Sequence, residues 1–182
     1  MNIKAAVLSI AAAFVSAAAP VAAGTRPGNS FDDHIRLYNT IHSFGVRVVI
    51  NDYSECNKGI DGSYWSRERV LHVCQDNARP GEREIDWTAN DLDTLRHEAH
   101  HMIQDCALGS LGDRALAPLF GSEPRVMEFV RATLGEERAR NIMNNDAYRG
   151  RPHVHLKEME AFAAAYAIPA SQITDKMVEV CR

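Results

Sequence analysis

His97-Glu98-Ala99-His100-His101 is an HExxH sequence. On a helix His97 and His101 would lie one turn apart on one face, because residues at i and i+4 are neighbours there. Two imidazoles so placed can grip one metal ion. Glu98, beside the first of them, can take a proton from a water on that metal, and the metal lowers the water's pKa towards neutrality. The chemistry this pattern offers is amide hydrolysis.

A third protein ligand is needed, since a catalytic zinc site holds three and leaves one position for water. The continuation HExxHxxGxxH would require Gly and His where this chain has Gln104 and Ala107. Gly109-Ser110-Leu111-Gly112-Asp113 approaches a GTxxD pattern, but Asp113 follows His101 too closely to be the favoured ligand. The better source is Leu156-Lys157-Glu158-Met159-Glu160-Ala161-Phe162-Ala163. Glu158 and Glu160 are two residues apart and so face roughly opposite sides of a helix; only one of them can meet the ion of His97 and His101.

HExxH followed by this ExEA segment resembles the gluzincins, zinc peptidases whose third ligand is a Glu on a downstream helix. In their ImmA-type and CAAX-type branches the first Glu of ExxA holds the metal, which implies Glu158. In the aminopeptidase branch the ligand Glu directly precedes a small residue, which implies Glu160. We favour Glu158. The first two branches place Asp or Asn four residues after the ligand Glu, where this chain has Phe162. The resemblance covers two short motifs and implies one Zn2+ per chain on His97, His101 and Glu158, with Glu98 as general base and a peptide or protein as substrate. It also implies a zincin-like fold in which Val70-Leu71-His72-Val73 is the edge strand that pairs with substrate.

An oxyanion donor is expected in Tyr148-Arg149-Gly150-Arg151-Pro152-His153-Val154-His155, just before the ligand helix. His153 is favoured, with His155 and Tyr148 as alternatives. His100 is turned away from both ligand positions and is expected packed or solvated rather than ligating. Gln104, one turn below His100, could buttress the site, but the favoured expectation is that it faces solvent. Tyr64 and Trp65 are expected in the core, or lining a substrate cleft.

The elements that must position these residues are legible in outline. Phe31, Ile35, Leu37, Tyr38 and Ile41 recur near a 3.6 period after Ser30, which with Asp33 resembles an N-cap, so 30–42 reads as a helix. Phe44–Ile50 and Val70–Val73 are rich in Val and Ile and suit strands, with turn-rich Lys58–Ser63 between them. Asn90 or Asp91 caps a helix through the HExxH sequence towards Gly109. Further helices are expected at 124–134, 136–147, 155–167 and 171–181, broken by Gly135, Gly150 and Pro169. The fold class is α+β, a small antiparallel sheet followed by a helical half that carries the active-site helix.

Composition narrows the setting. Lys4, the Ala-rich run to Ala19 and the small residues Val21-Ala22-Ala23 have the plan of a signal peptide cleaved near Ala23, which leaves 24–182 as a single domain. The run is too short and too poor in Leu and Ile to span a bilayer, and no other stretch is a candidate. Removing residues 1–23 takes one Lys and no acid, moving the net charge from −4 to −5. No basic stripe for nucleic acid remains. Export to a periplasm or beyond the cell suits the four cysteines, an even number without the CxxC spacing of a structural zinc site. Of three connectivities we favour Cys56–Cys74, flanking one hairpin, and Cys106–Cys181, pinning the last helix to the central one.

The competing reading is an exported binding or inhibitory module that keeps the fold without catalysis. Glu98 argues against it, because holding a metal requires no base at that position. A metal carrier is a poorer account, since it has no need of the HExxH order.

Overall fold

The computed structural model describes residues 28–112, 116–144 and 152–182, the side chains of Pro152 and His153 excepted. Expectations for the signal peptide at 1–23, Asp113, Tyr148 and the His153 side chain therefore fall outside the described residues.

The chain forms α1 (Phe31–Ser43), β1 (Arg47–Ile50), α2 (Tyr53–Cys56), β2 (Gly62–Trp65), β3 (Val70–Val73), α3 (Ala89–Cys106), α4 (Glu123–Met143), α5 (Pro152–Ala167) and α6 (Ala170–Val180). This is a mixed α+β arrangement, as expected, but the sheet is not purely antiparallel. Its order is β1-β3-β2, with β1 parallel and β2 antiparallel to β3. The expectation that Val70–Val73 is an edge strand is overturned. All four of its residues are buried, because it takes hydrogen bonds on both sides, and the edge next to α3 belongs to β2. The strand Gly62–Trp65 was read as part of a turn followed by an apolar pair. It is four residues long and opens with glycine, too short to show an alternation.

Capping chemistry sets where α1 and α3 begin. Ser30 accepts from Asp33 N while Asp33 accepts from Ser30 N, a reciprocal capping box. In α3 the cap is Thr88 rather than Asn90 or Asp91. Asp91 is its partner three residues on, accepting in return from Thr88 N. The helix stops at Cys106, three residues before Gly109. Gly135, with φ 78° and ψ 162°, interrupts α4 where the sequence placed a break.

Helix α3 runs through the centre of the molecule and is buried all round from Thr94 to Cys106. Its apolar residues Leu95, Ala99, Met102 and Ile103 join Leu37 and Ile41 of α1, Leu71 and Val73 of β3, and Ile173 and Met177 of α6 in the main core. A second cluster, with Val126, Val130, Met159 and Ala163, packs α4 against α5. Tyr64 of β2 is half-buried, its hydroxyl donating to Asp105 Oδ2 of α3 at 2.8 Å, whereas Trp65 is exposed.

Both expected disulfides are formed, Cys56–Cys74 and Cys106–Cys181, and no cysteine is free. The first ties α2 to the end of β3; the second ties the C-terminus of α3 to that of α6. A cross-link stabilises mainly by restricting the unfolded chain, more so for longer loops. With sequence separations of 18 and 75, replacing each pair by alanine should cost about 3 and about 4.5 kcal/mol respectively. Urea denaturation of the two double variants should show the Cys106/Cys181 variant as the less stable.

Candidate metal centre

Helix α3 presents His97 and His101 towards α5, which brings Glu158 to meet them. Their facing atoms form a nearly equilateral triangle. His97 Nε2 and His101 Nε2 are 3.1 Å apart, and Glu158 Oε2 lies 3.3 Å from the first and 3.4 Å from the second. A tetrahedral ion with bonds of about 2.0–2.1 Å spaces its donors about 3.3–3.4 Å apart. Two imidazole nitrogens and one carboxylate oxygen are also the donor types such an ion accepts. His97, His101 and Glu158 could thus hold a metal ion, and they are the one such group among the described residues.

Burial and sharing of charge set the protonation of the group. Burial drives His97 down to about 4 despite its contact with Glu158, so it is neutral over the physiological range. Burial would also lower His101, but the Glu158 carboxylate, Glu98 and Gln104 outweigh it and lift the imidazole to about 9. Burial alone would raise Glu158. Hydrogen bonds from the two imidazoles instead hold it well below the usual carboxylate range. The three groups therefore share one proton, and it sits on His101.

Glu98 is buried beside the triad, towards β2. Gly62 makes room for it: a Cβ there would lie 2.9 Å from Glu98 Oε1 and 2.7 Å from Thr94 Cγ2. Desolvation raises the Glu98 carboxyl to about 8, with the charges of Glu158 and Asp61 adding to the effect and His101 opposing it. A carboxyl held near neutrality can both accept and return a proton.

Glu160, two residues on, also meets α3, but beside His100 and Gln104 rather than at the triad. It is completely buried. Its carboxylate accepts from His100 Nε2 at 2.8 Å, Gln104 Nε2 at 3.1 Å, Leu119 N at 2.8 Å and Phe120 N at 3.2 Å. His100 is packed rather than ligating, as expected. Gln104 departs from expectation: it is fully buried, with Oε1 2.8 Å from His101 Nδ1. The signal for it was present, since Gln104 lies three residues after His101 and shares its face.

Phe162 occupies the position where the resembling branches carry Asp or Asn, and its ring centroid lies 4.4 Å from that of His97. His97 Nδ1, buried, has no hydrogen-bond partner among the described residues. On its Nδ1 side, packing against Phe162 rather than an acceptor holds that ring. His155 stands half-buried in the first turn of α5.

Compared with known proteins, the chain matches no family model, no curated protein and no solved structure.

A metal on the triad must displace the His101 proton, which the free site retains up to about pH 9. Affinity should therefore rise with pH, by about tenfold per unit between pH 6 and 8. Calorimetric titration with Zn2+ in buffers of different ionisation enthalpy should show about one proton released per ion at pH 7.

Proposed function

We propose that this chain is an exported zinc-dependent metallopeptidase of gluzincin type, with a zincin-like fold, hydrolysing peptide bonds in peptides or proteins. The reading rests on one observation above all. Three donor atoms from two helices stand at tetrahedral spacing, with a buried carboxyl of raised pKa beside them. Export is supported by the two disulfides, which persist in oxidising compartments.

In this reading His97 and His101 bind zinc through Nε2 and Glu158 through a carboxylate oxygen. Bound zinc would supply a water acidic enough to ionise near neutral pH and a charge that polarises the scissile carbonyl. Glu98 receives the water's proton on its carboxylate and passes it to the departing amine. Burial suits it to both halves of that task, because its raised pKa brings the two protonation states close in energy near neutral pH. Substrate backbone would pair along β2, the edge strand nearest Glu98, whose Gly62 packs closely against that carboxyl. An oxyanion donor would come from the first turn of α5 or the segment before it, with His153 favoured and Tyr148 and His155 as alternatives.

Elemental analysis of purified wild type should give one zinc per chain. His97→Ala and Glu158→Ala should lose it, while Glu98→Gln should keep it and cleave casein or a peptide library about 10²–10⁴-fold more slowly. A zinc-loaded wild type with no hydrolysis across such a library would leave a binding module as the better account. Failure to take up zinc at all would remove the metal site with it.

A further inference from the structure

The geometry points to Gln104 as the positioning residue that fixes which nitrogen of His101 is offered to the metal, through an amide orientation locked from α5. This inference rests on the metal reading of the triad and deepens it.

An isolated glutamine amide can turn over and present either its oxygen or its nitrogen. Here it cannot. Gln104 Nε2 faces two groups that only accept, the Lys157 carbonyl at 3.1 Å and Glu160 Oε1 at 3.1 Å. Reversal would set the amide oxygen against both. The oxygen is thereby committed to His101 Nδ1 at 2.8 Å, and because it can only accept, Nδ1 must carry the hydrogen. A neutral His101 then has its lone pair on Nε2, the atom 3.1 Å from His97 Nε2 and 3.4 Å from Glu158 Oε2.

Glu160 is what holds the lock. Its carboxylate is itself fixed by Leu119 N, Phe120 N and His100 Nε2, all of which donate to it. The two glutamates of the ExEA segment thus divide the work. Glu158 faces the ion site; Glu160, two residues on, orients the amide that orients His101. His97 serves as an internal contrast, since its Nδ1 has no such acceptor among the described residues. Acceptors of this kind, one shell beyond the ligands, commonly govern metal affinity by about 10–100-fold.

The test is Zn2+ titration of the disulfide-intact protein against a chromophoric chelator, comparing wild type, Gln104→Met and Gln104→Glu. Methionine has similar length and neither accepts from His101 nor donates to Glu160. Glutamate, holding a proton towards Glu160, restores the acceptor. We expect Gln104→Met to bind Zn2+ about 10–100-fold more weakly and Gln104→Glu to stay within about threefold of wild type. A purely structural glutamine would lower the melting temperature of Gln104→Met without changing the Zn2+ affinity of its folded form, and that result would overturn the assignment. So would equal weakening in both variants. Wild type that binds no Zn2+ would sink the metal reading itself, a distinguishable failure. Should Gln104→Met not fold, NMR of zinc-loaded wild type decides. A slowly exchanging His101 Nδ1–H with a cross-peak to the Gln104 carboxamide is expected, and one exchanging as fast as that of His97 would refute the role.

Discussion

A helix with polar side chains on every side has been buried at the centre of the molecule. From Arg96 to Asp105, α3 buries Arg96, His97, Glu98, His100, His101, Gln104 and Asp105. Each loses its hydration, and a buried polar group left without a partner costs roughly 1–3 kcal/mol, more if charged. Neighbouring elements are arranged to meet that demand. Arg96 donates to the Ala165 carbonyl, Asn29 and His34, and pairs with Asp93. Asp105 accepts from Tyr64 Oη and Gly112 N. The remaining imidazoles and the amide are met by the two glutamates of α5. The sheet, α1 and α5 stand where α3 needs hydrogen-bond partners as much as where it needs apolar cover.

This constraint explains why two carboxylates so close in sequence have such different surroundings. Glu160 is enclosed by four donors, two of them backbone N–H groups of the 119–120 segment, which fix it in place. Glu158 faces two imidazoles that carry one excess proton between them, an arrangement suited to exchanging that proton for a cation. One is a structural anchor and the other a ligand candidate, and the helical twist between positions 158 and 160 separates them. Phe162, one turn after Glu158, sets an apolar face against His97.

The parts legible in the sequence were those with a local cause. The cap at Ser30, the break at Gly135, the three helices after residue 120 and the HExxH face all follow from residues within one or two turns of each other. Both disulfide pairings were also readable, because only three connectivities were possible. What escaped was decided by distant partners. The placement of β3 between β1 and β2 depends on pairings across the fold, and the local pattern at 62–65 is too short to reveal a strand. Gln104 looks like a surface residue until Lys157 and Glu160, more than fifty positions away, enclose it. Glu158 and Glu160 were separable as alternatives by helical geometry, but only the packing of α5 on α3 chose between them.

The span between His97 and Glu158, 61 positions along the chain, has a thermodynamic side. In an unfolded chain of that length the two residues would average about 40–50 Å apart, so all three donors converge only after the molecule has closed. A cation bound by all three would then act as a third cross-link beside the two disulfides. Unlike a covalent bond, its strength would be set by mass action. Once the site is near saturation, each tenfold rise in free metal adds about 1.4 kcal/mol to the folded state, and each tenfold fall removes as much. The stability of such a chain would follow the metal content of its surroundings.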